Sequence, residues 1–186
     1  MRVITGRAKG RRLKAPKGKN TRPTTDRVKE SLFCLLGPRV QGVRFLDLFA
    51  GSGAIGIEAL SRGASEAIFI DSDIKSVEII KDNLRTTDLH SEAKVFCIDI
   101  FKGLSVLARK EERFQMIFLD PPYEKGFEDK ILEFIAQSKI LDSKGLVVVE
   151  SSKRTELAED YSELVMVRQE TYGDSKINFF ERKEVK

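Results

Sequence analysis

Cysteine and histidine are scarce in this sequence. Cys34 and Cys97 lie 63 positions apart, and His90 is the sole histidine. That spacing offers neither a zinc-ligand pattern nor a disulfide framework, so no metal site is expected. The two thiols read as small buried hydrophobes in a reducing cytoplasm. His90 reads as a solvated residue in a polar connection. Long apolar runs are missing too. None approaches the roughly 18–20 residues that cross a bilayer, so no membrane partner is expected. No apolar stretch follows the basic N-terminus, as a secretory signal would require. There is no internal repeat and no low-complexity segment. The 186 residues suffice for one domain with a real core. No extra apolar stripe calls for a second copy, which predicts a monomer.

Acids are scarce at the front of the chain. Residues 1–30 hold eleven Lys/Arg but only Asp26 and Glu30, a balance of +9 against +4 for the whole. The rest is therefore slightly acidic. A basic arm on an acidic body suggests a polyanionic partner. Arg2, Arg7, Lys9, Arg11, Arg12, Lys14, Arg22 and Arg27 are the expected phosphate contacts.

Residues 2–5 and 11–15 read as two short strands around a Gly6 to Gly10 turn, followed by a polar loop. Thr24 or Thr25 can cap a helix with Val28, Leu32, Leu35 and Leu36 at helical spacing, stopped by Gly37-Pro38. Beyond it, apolar runs at 43–49, 67–70, 95–98, 116–119 and 146–149 alternate with helical patterns. The helix after the second run is marked by Ile74, Val77, Ile80 and Leu84. Alternation of this kind predicts a mostly parallel sheet covered on both faces. Two β-rich runs near the C-terminus, 164–168 and 177–180, lack a helix between them and predict an antiparallel edge pair.

Ligands of open α/β sheets bind at the carboxyl ends of the strands. An acid stands at five such ends: Asp47, Asp71, Asp99, Asp120 and Glu150. After Asp47 comes Gly51-Ser52-Gly53-Ala54-Ile55-Gly56, a G-x-G-x-x-G turn between strand and helix. Such a turn fits a dinucleotide or S-adenosylmethionine. Asp47 would repel a pyrophosphate but suits ammonium and sulfonium charges, and the turn holds no Lys or Arg for phosphate. This favours S-adenosylmethionine. Asp71 can accept both ribose hydroxyls. Asp99 can accept the adenine amino group or cap the next helix.

Asp120-Pro121-Pro122-Tyr123 follows another apolar run. Two prolines fix φ and remove two N–H donors, leaving a stiff turn. The amino group of a nucleobase is a poor nucleophile, because its lone pair is delocalised into the ring. Acceptors at Asp120 and the Pro121 carbonyl can draw that nitrogen toward tetrahedral geometry, while Tyr123 stacks on the base. This turn alone serves guanine and adenine equally. Adenine-N6 methylation of DNA or RNA is therefore the alternative reading, and a non-catalytic RNA-binding module is a third. A large DNA-recognition domain has no room in this length. The intact turn argues against a non-catalytic role. Glu58 and Arg62, four apart on a helix, read as a surface ion pair as readily as a ligand contact.

Asp47 to Gly53, Glu58 to Ala64 and Asp120 to Tyr123 together resemble the class I amino-methyltransferases. Arg22-Pro-Thr-Thr-Asp-Arg27-Val-Lys-Glu-Ser-Leu-Phe33, preceded by Arg2 to Arg7 and Lys9 to Leu13, resembles the RsmD family. That likeness runs from residue 2 to about residue 180. It implies a Rossmann-like fold: a mostly parallel seven-stranded sheet with helices on both faces, plus an N-terminal β-hairpin. The hairpin or arm would occupy residues 1–24 and bind RNA. The methyltransferase domain would occupy 25–186. The implied activity is S-adenosylmethionine-dependent methylation of guanine N2 in 16S rRNA, free or in a partly assembled small subunit. By the same likeness Asp47, Gly51, Ser52 and Gly53 line the methionine end of the cofactor. Asp71, where many relatives carry Glu, holds the ribose and Asp99 faces adenine. Asp120, Pro121, Pro122 and Tyr123 receive the guanine.

Overall fold

The computed structural model describes residues 1–15, 26–122 and 125–184. Its contacts cluster into two compact units, Met1–Ile100 and Phe101–Lys186.

The first unit contains α1 (Asp26–Leu36), β1 (Arg44–Leu48), α2 (Ala54–Ser61), β2 (Glu66–Asp71), α3 (Ile74–Thr87) and β3 (Ala93–Cys97). The strands are parallel, with β2 between β1 and β3. Parallel strands covered on both faces lose their in–out alternation. Accordingly Ala67, Ile68, Phe69 and Ile70 of β2 are all buried. Every residue of α2 is buried as well, which explains its nearly unbroken apolar sequence. α3 is amphipathic, with Val77, Ile80 and Leu84 inside. Asp73 caps its start by accepting from the Lys75 N–H. Ile74, grouped with the buried stripe by spacing alone, is instead 56% exposed.

The N-terminal hairpin is reduced to one bridge, Arg2 opposite Arg12. The sequence predicted two strands, but the intervening backbone donors go elsewhere. The N–H groups of Ile4 and Thr5 donate to the Glu58 carboxylate at 2.8 and 3.0 Å. Arg7 N–H donates to the Ser61 carbonyl and Ala8 N–H to Ser61 Oγ. Helix α2 thus takes the bonds a strand partner would have taken. A Cβ at Gly6 would stand 1.8 Å from the Ser61 carbonyl oxygen, so only glycine permits this approach. Residues 1–15 pack as part of the first unit, and the boundary expected at 24/25 lies outside the described residues.

Beneath this segment lies a buried ion cluster. Lys29 and Glu58 are both fully buried, their charged atoms 3.1 Å apart. Lys29 Nζ also donates to the Arg2 carbonyl at 2.5 Å. Arg62 Nε donates to Glu58 Oε1 at 2.9 Å, and its guanidinium lies over the Phe33 ring. The Glu58–Arg62 pair, which the sequence left open between a surface ion pair and a ligand contact, is an ion pair whose Glu58 end is buried under the N-terminal segment. Burial lowers the Lys29 ammonium below its ordinary range, against the opposing pull of Glu58. The cysteines also differ from expectation, since both are exposed. Cys34 lies on the outward side of α1, and Cys97 ends the edge strand β3.

The second unit holds most of α4 (Ile100–Arg109), with β4 (Phe114–Leu119), α5 (Phe127–Gln137), β5 (Leu141–Ser152), β6 (Asp160–Tyr161), β7 (Leu164–Tyr172) and β8 (Ser175–Arg182). β4 and β5 run parallel, with Leu119 opposite Val149. β8, β7 and β6 continue antiparallel from β5, as the β-rich tail predicted. The described strands number eight, one more than the expected seven. The addition is β6, whose two residues are too few to show a period. It is anchored by Tyr161, whose hydroxyl donates to Asp129 and accepts from the Ala158 N–H. Arg182 donates to the carbonyls of Ile135, Ala136 and Ser138, closing the C-terminus of α5. Among the described residues no helix is long and apolar enough to cross a membrane.

Candidate active site

In the first unit three parallel strands deliver acids toward one edge. Asp47 lies within β1, next to its last residue. Asp71 ends β2 opposite Cys97, and Asp99 stands two residues past β3. Asp47 is 2% exposed, and its Oδ2 accepts the Gly56 N–H at 2.9 Å. Burial pushes its carboxyl up to about 8, with the Gly56 N–H opposing and the Asp71 charge adding to the rise. Asp71 is half-buried and accepts Gly51 N–H on one oxygen and Asp73 N–H on the other, at 2.8 and 2.9 Å. Asp71 therefore shapes the glycine turn as well as facing outward from the strand end. Asp99 is exposed.

The turn between β1 and α2 needs left-handed backbone at Gly51 (φ +55°) and Gly53 (φ +74°), and even Phe49 adopts φ +57°. Gly56 serves packing instead. A Cβ there would fall 2.3 Å from the Phe69 ring and 3.1 Å from Asp47 Oδ2. The third glycine of the motif thus lets α2 lie close on β2. Ser52 is buried, and its carbonyl accepts from Asn83 Nδ2 at 2.9 Å. The same amide of Asn83 exchanges two further bonds with the Lys14 backbone. Asn83 therefore ties the glycine turn to the N-terminal segment. Spacing alone did not single it out, because a buried asparagine on a helix leaves no periodic signal.

Ile74 was not singled out as a candidate by the sequence for the opposite reason. Its spacing fits the helix core, but its exposure three residues after Asp71 offers an apolar platform beside the acids. The edge carries a buried carboxylate at Asp47, more accessible ones at Asp71 and Asp99, an exposed apolar side chain at Ile74 and a glycine turn that holds no cation. This donor set suits a ligand bearing positive charge, hydroxyls and an aromatic amine. It does not suit a pyrophosphate.

In the second unit Asp120 follows directly on β4 and is half-buried. Pro121 is buried and Pro122 exposed, while Tyr123 lies outside the described residues. Glu150, expected at the end of its strand, is instead an interior residue of β5, opposite Ile177 of β8 and 5% exposed. Pairing with β8 carries β5 three residues further than its apolar run, to Ser152. Glu128, the second residue of α5, is buried with one carboxylate oxygen lacking a hydrogen-bond partner. Burial raises its carboxyl above the ordinary range.

Of the predicted phosphate contacts, Arg2 pairs with Asp26, Arg7 with Glu92 and Lys14 with Asp82. Arg11 donates to the Thr86 carbonyl. Lys9, Arg12 and Arg27 are exposed. Arg22 lies outside the described residues.

Known proteins are similar to this chain in sequence and fold. The family model described as conserved hypothetical protein 95 matches residues 1–181. YlbH of Bacillus subtilis (strain 168) is 46% identical over 183 residues, spanning 98% of this chain and 100% of its own. Ribosomal RNA small subunit methyltransferase D of Escherichia coli (strain K12) is 36% identical over 151 residues, 81% of this chain and 74% of that one. Among solved structures, Escherichia coli yhhF has a TM-score of 0.83 at 32% identity, covering 98% of each chain. A hypothetical protein of Thermus thermophilus has a TM-score of 0.84 at 31% identity, covering 97% of this chain and 99% of that one. With a family model spanning almost its whole length and relatives this similar, the chain belongs to the conserved hypothetical protein 95 (RsmD) family and has the class I methyltransferase fold.

Proposed function

We propose that this chain methylates the exocyclic N2 amino group of a guanine in 16S rRNA, using S-adenosylmethionine. The observation that carries methyl transfer to a base amino group is the segment from Asp120 to Pro122, which follows directly on a buried strand, while the choice of guanine in RNA over adenine rests on the basic N-terminal segment and the family. Relatives named as small-subunit rRNA methyltransferases support the substrate class.

When bound, S-adenosylmethionine supplies a methyl group on a positively charged sulfur. The residues of the first unit bind and orient it. Asp47 answers the ammonium charge, and Gly51, Ser52 and Gly53 let the backbone lie close to the methionine end. Asp71 accepts from the ribose hydroxyls. Ile74 packs against the adenine ring, and Asp99 accepts from its amino group. None of these roles needs a metal ion.

The second unit supplies the groups that act on the base. The Asp120 carboxylate and the Pro121 carbonyl accept the two N–H bonds of the guanine amino group. That pair of bonds localises the nitrogen lone pair for attack on the methyl carbon. Tyr123 stacks on the base and fixes its plane. Once the amino nitrogen is methylated, Asp120 or water would take its surplus proton. The basic N-terminal segment grips the RNA as a preformed, docked element, so its backbone needs little ordering on binding.

The test is Asp120→Ala. Methyl transfer to 16S rRNA should disappear, while calorimetry still shows S-adenosylhomocysteine binding. Undiminished turnover in this variant would defeat the proposed role of Asp120.

A further inference from the structure

The N-terminal segment does not end its contacts at α2. It crosses the C-terminal half of α3, where Arg11 Nη1 donates to the Thr86 carbonyl at 2.9 Å. Lys14 Nζ meets Asp82 Oδ2 at 2.9 Å, and Arg85 Nη1 meets Asp82 Oδ1 at 3.1 Å. One carboxylate thus holds two cations, one from the segment and one from the helix. Both remain largely open to solvent, with side chains 66% and 70% exposed. Lys81 is exposed one turn before Arg85 on α3, whose buried side carries Val77, Ile80 and Leu84.

Arg11, Lys14 and Arg85 thus meet over this stretch, and Lys9, Arg12 and Lys81 are exposed on the same two elements. Asp82 stands among them, with Glu78 and Asp88 at the two ends of the stretch, so the balance is positive. A cationic surface assembled from two elements suits a phosphate backbone rather than a single anion. The shared Asp82 fixes the spacing of Lys14 and Arg85 before any ligand arrives.

We infer that α3 is part of the RNA-binding surface, with Lys81 and Arg85 contacting RNA phosphates alongside Arg11, Arg12 and Lys14. This rests on the rRNA-methyltransferase reading above. It adds two residues that lie far along the chain from the basic N-terminal segment.

The test uses the full chain and transcribed 16S rRNA, with dissociation constants measured between 50 and 200 mM salt. Lys81→Gln/Arg85→Gln is compared with Lys9→Gln/Arg12→Gln and with the unmodified protein. The α3 pair should weaken RNA binding by roughly tenfold, and flatten the slope of log affinity against log salt by about 1–2. Its melting temperature and S-adenosylhomocysteine affinity should stay unchanged. If only the N-terminal pair matters, the role of α3 is overturned while RNA binding by the segment stands. If neither pair changes affinity or slope, the RNA-binding reading itself falls, and this inference with it. Loss in the α3 pair supports the inference whether or not the N-terminal pair also responds.

Discussion

Asp47→Asn separates charge from shape at the base of the glycine turn. Asparagine keeps an oxygen able to accept the Gly56 N–H, but it cannot ionise. In the folded protein burial pushes the Asp47 carboxyl up to about 8 from an ordinary 3.8. The folded state therefore holds a proton that the unfolded chain releases between about pH 4 and pH 8. Stability must fall as pH rises through that window and level off above it. Four pH units at about 1.4 kcal/mol each set an upper bound of about 6 kcal/mol. Asp47→Asn escapes this cost. The two proteins should melt together near pH 4, and the variant on the order of 10 °C higher at pH 8. Differential scanning calorimetry across pH 4–9 measures the gap. Cofactor binding should move the other way, because ammonium and sulfonium charges favour the ionised carboxylate. From pH 6 to 8 the affinity of the unmodified protein should rise by up to about tenfold per unit. The variant should bind more weakly with no such slope. A stability gap that ignores pH, or a variant that melts lower at pH 8, would refute the argument.

The remaining predictions concern packing and the buried ions. Lys29→Met leaves Glu58 without its buried partner and the Arg2 carbonyl without its donor. Urea denaturation should show a loss of about 3–5 kcal/mol, and a neutral result would count against the cluster as a clamp. Deleting residues 1–15 should lower stability as well as RNA affinity, because it uncovers Lys29 and Glu58. A truncated chain with unaltered stability would show that the docked segment is dispensable to the fold. Gly56→Ala forces a methyl group into the Phe69 ring, and should cost about 1–3 kcal/mol while weakening S-adenosylhomocysteine binding. Unchanged affinity would mean that the turn tolerates a displaced α2.

The parts of this fold written in local periodicity were legible before any coordinates. Helix α3 turns Val77, Ile80 and Leu84 inward as their spacing indicated, and the runs ending near Asp47, Asp71 and Asp120 became β1, β2 and β4. The acids at those strand ends and the left-handed glycines of the turn follow from short motifs whose chemistry is self-contained. What escaped was set by contacts across long stretches of chain. Lys29 looks like a solvated charge until Glu58 and Arg2 enclose it. The hairpin failed as a pair of strands because Glu58 and Ser61, more than fifty residues away, took its N–H groups. Ile74 carries the spacing of a core residue and the exposure of a ligand platform. Cys34 and Cys97 show the converse error, since small apolar character does not decide which side of a helix or which strand of a sheet is open.

Mass spectrometry of 16S rRNA incubated with this protein and S-adenosylmethionine tests the central claim most directly. The account predicts a single added methyl on the N2 nitrogen of one guanine, absent when Asp120→Ala replaces the unmodified protein. A methyl on adenine N6, or RNA left unmodified as free rRNA and as assembling subunit alike, would contradict it.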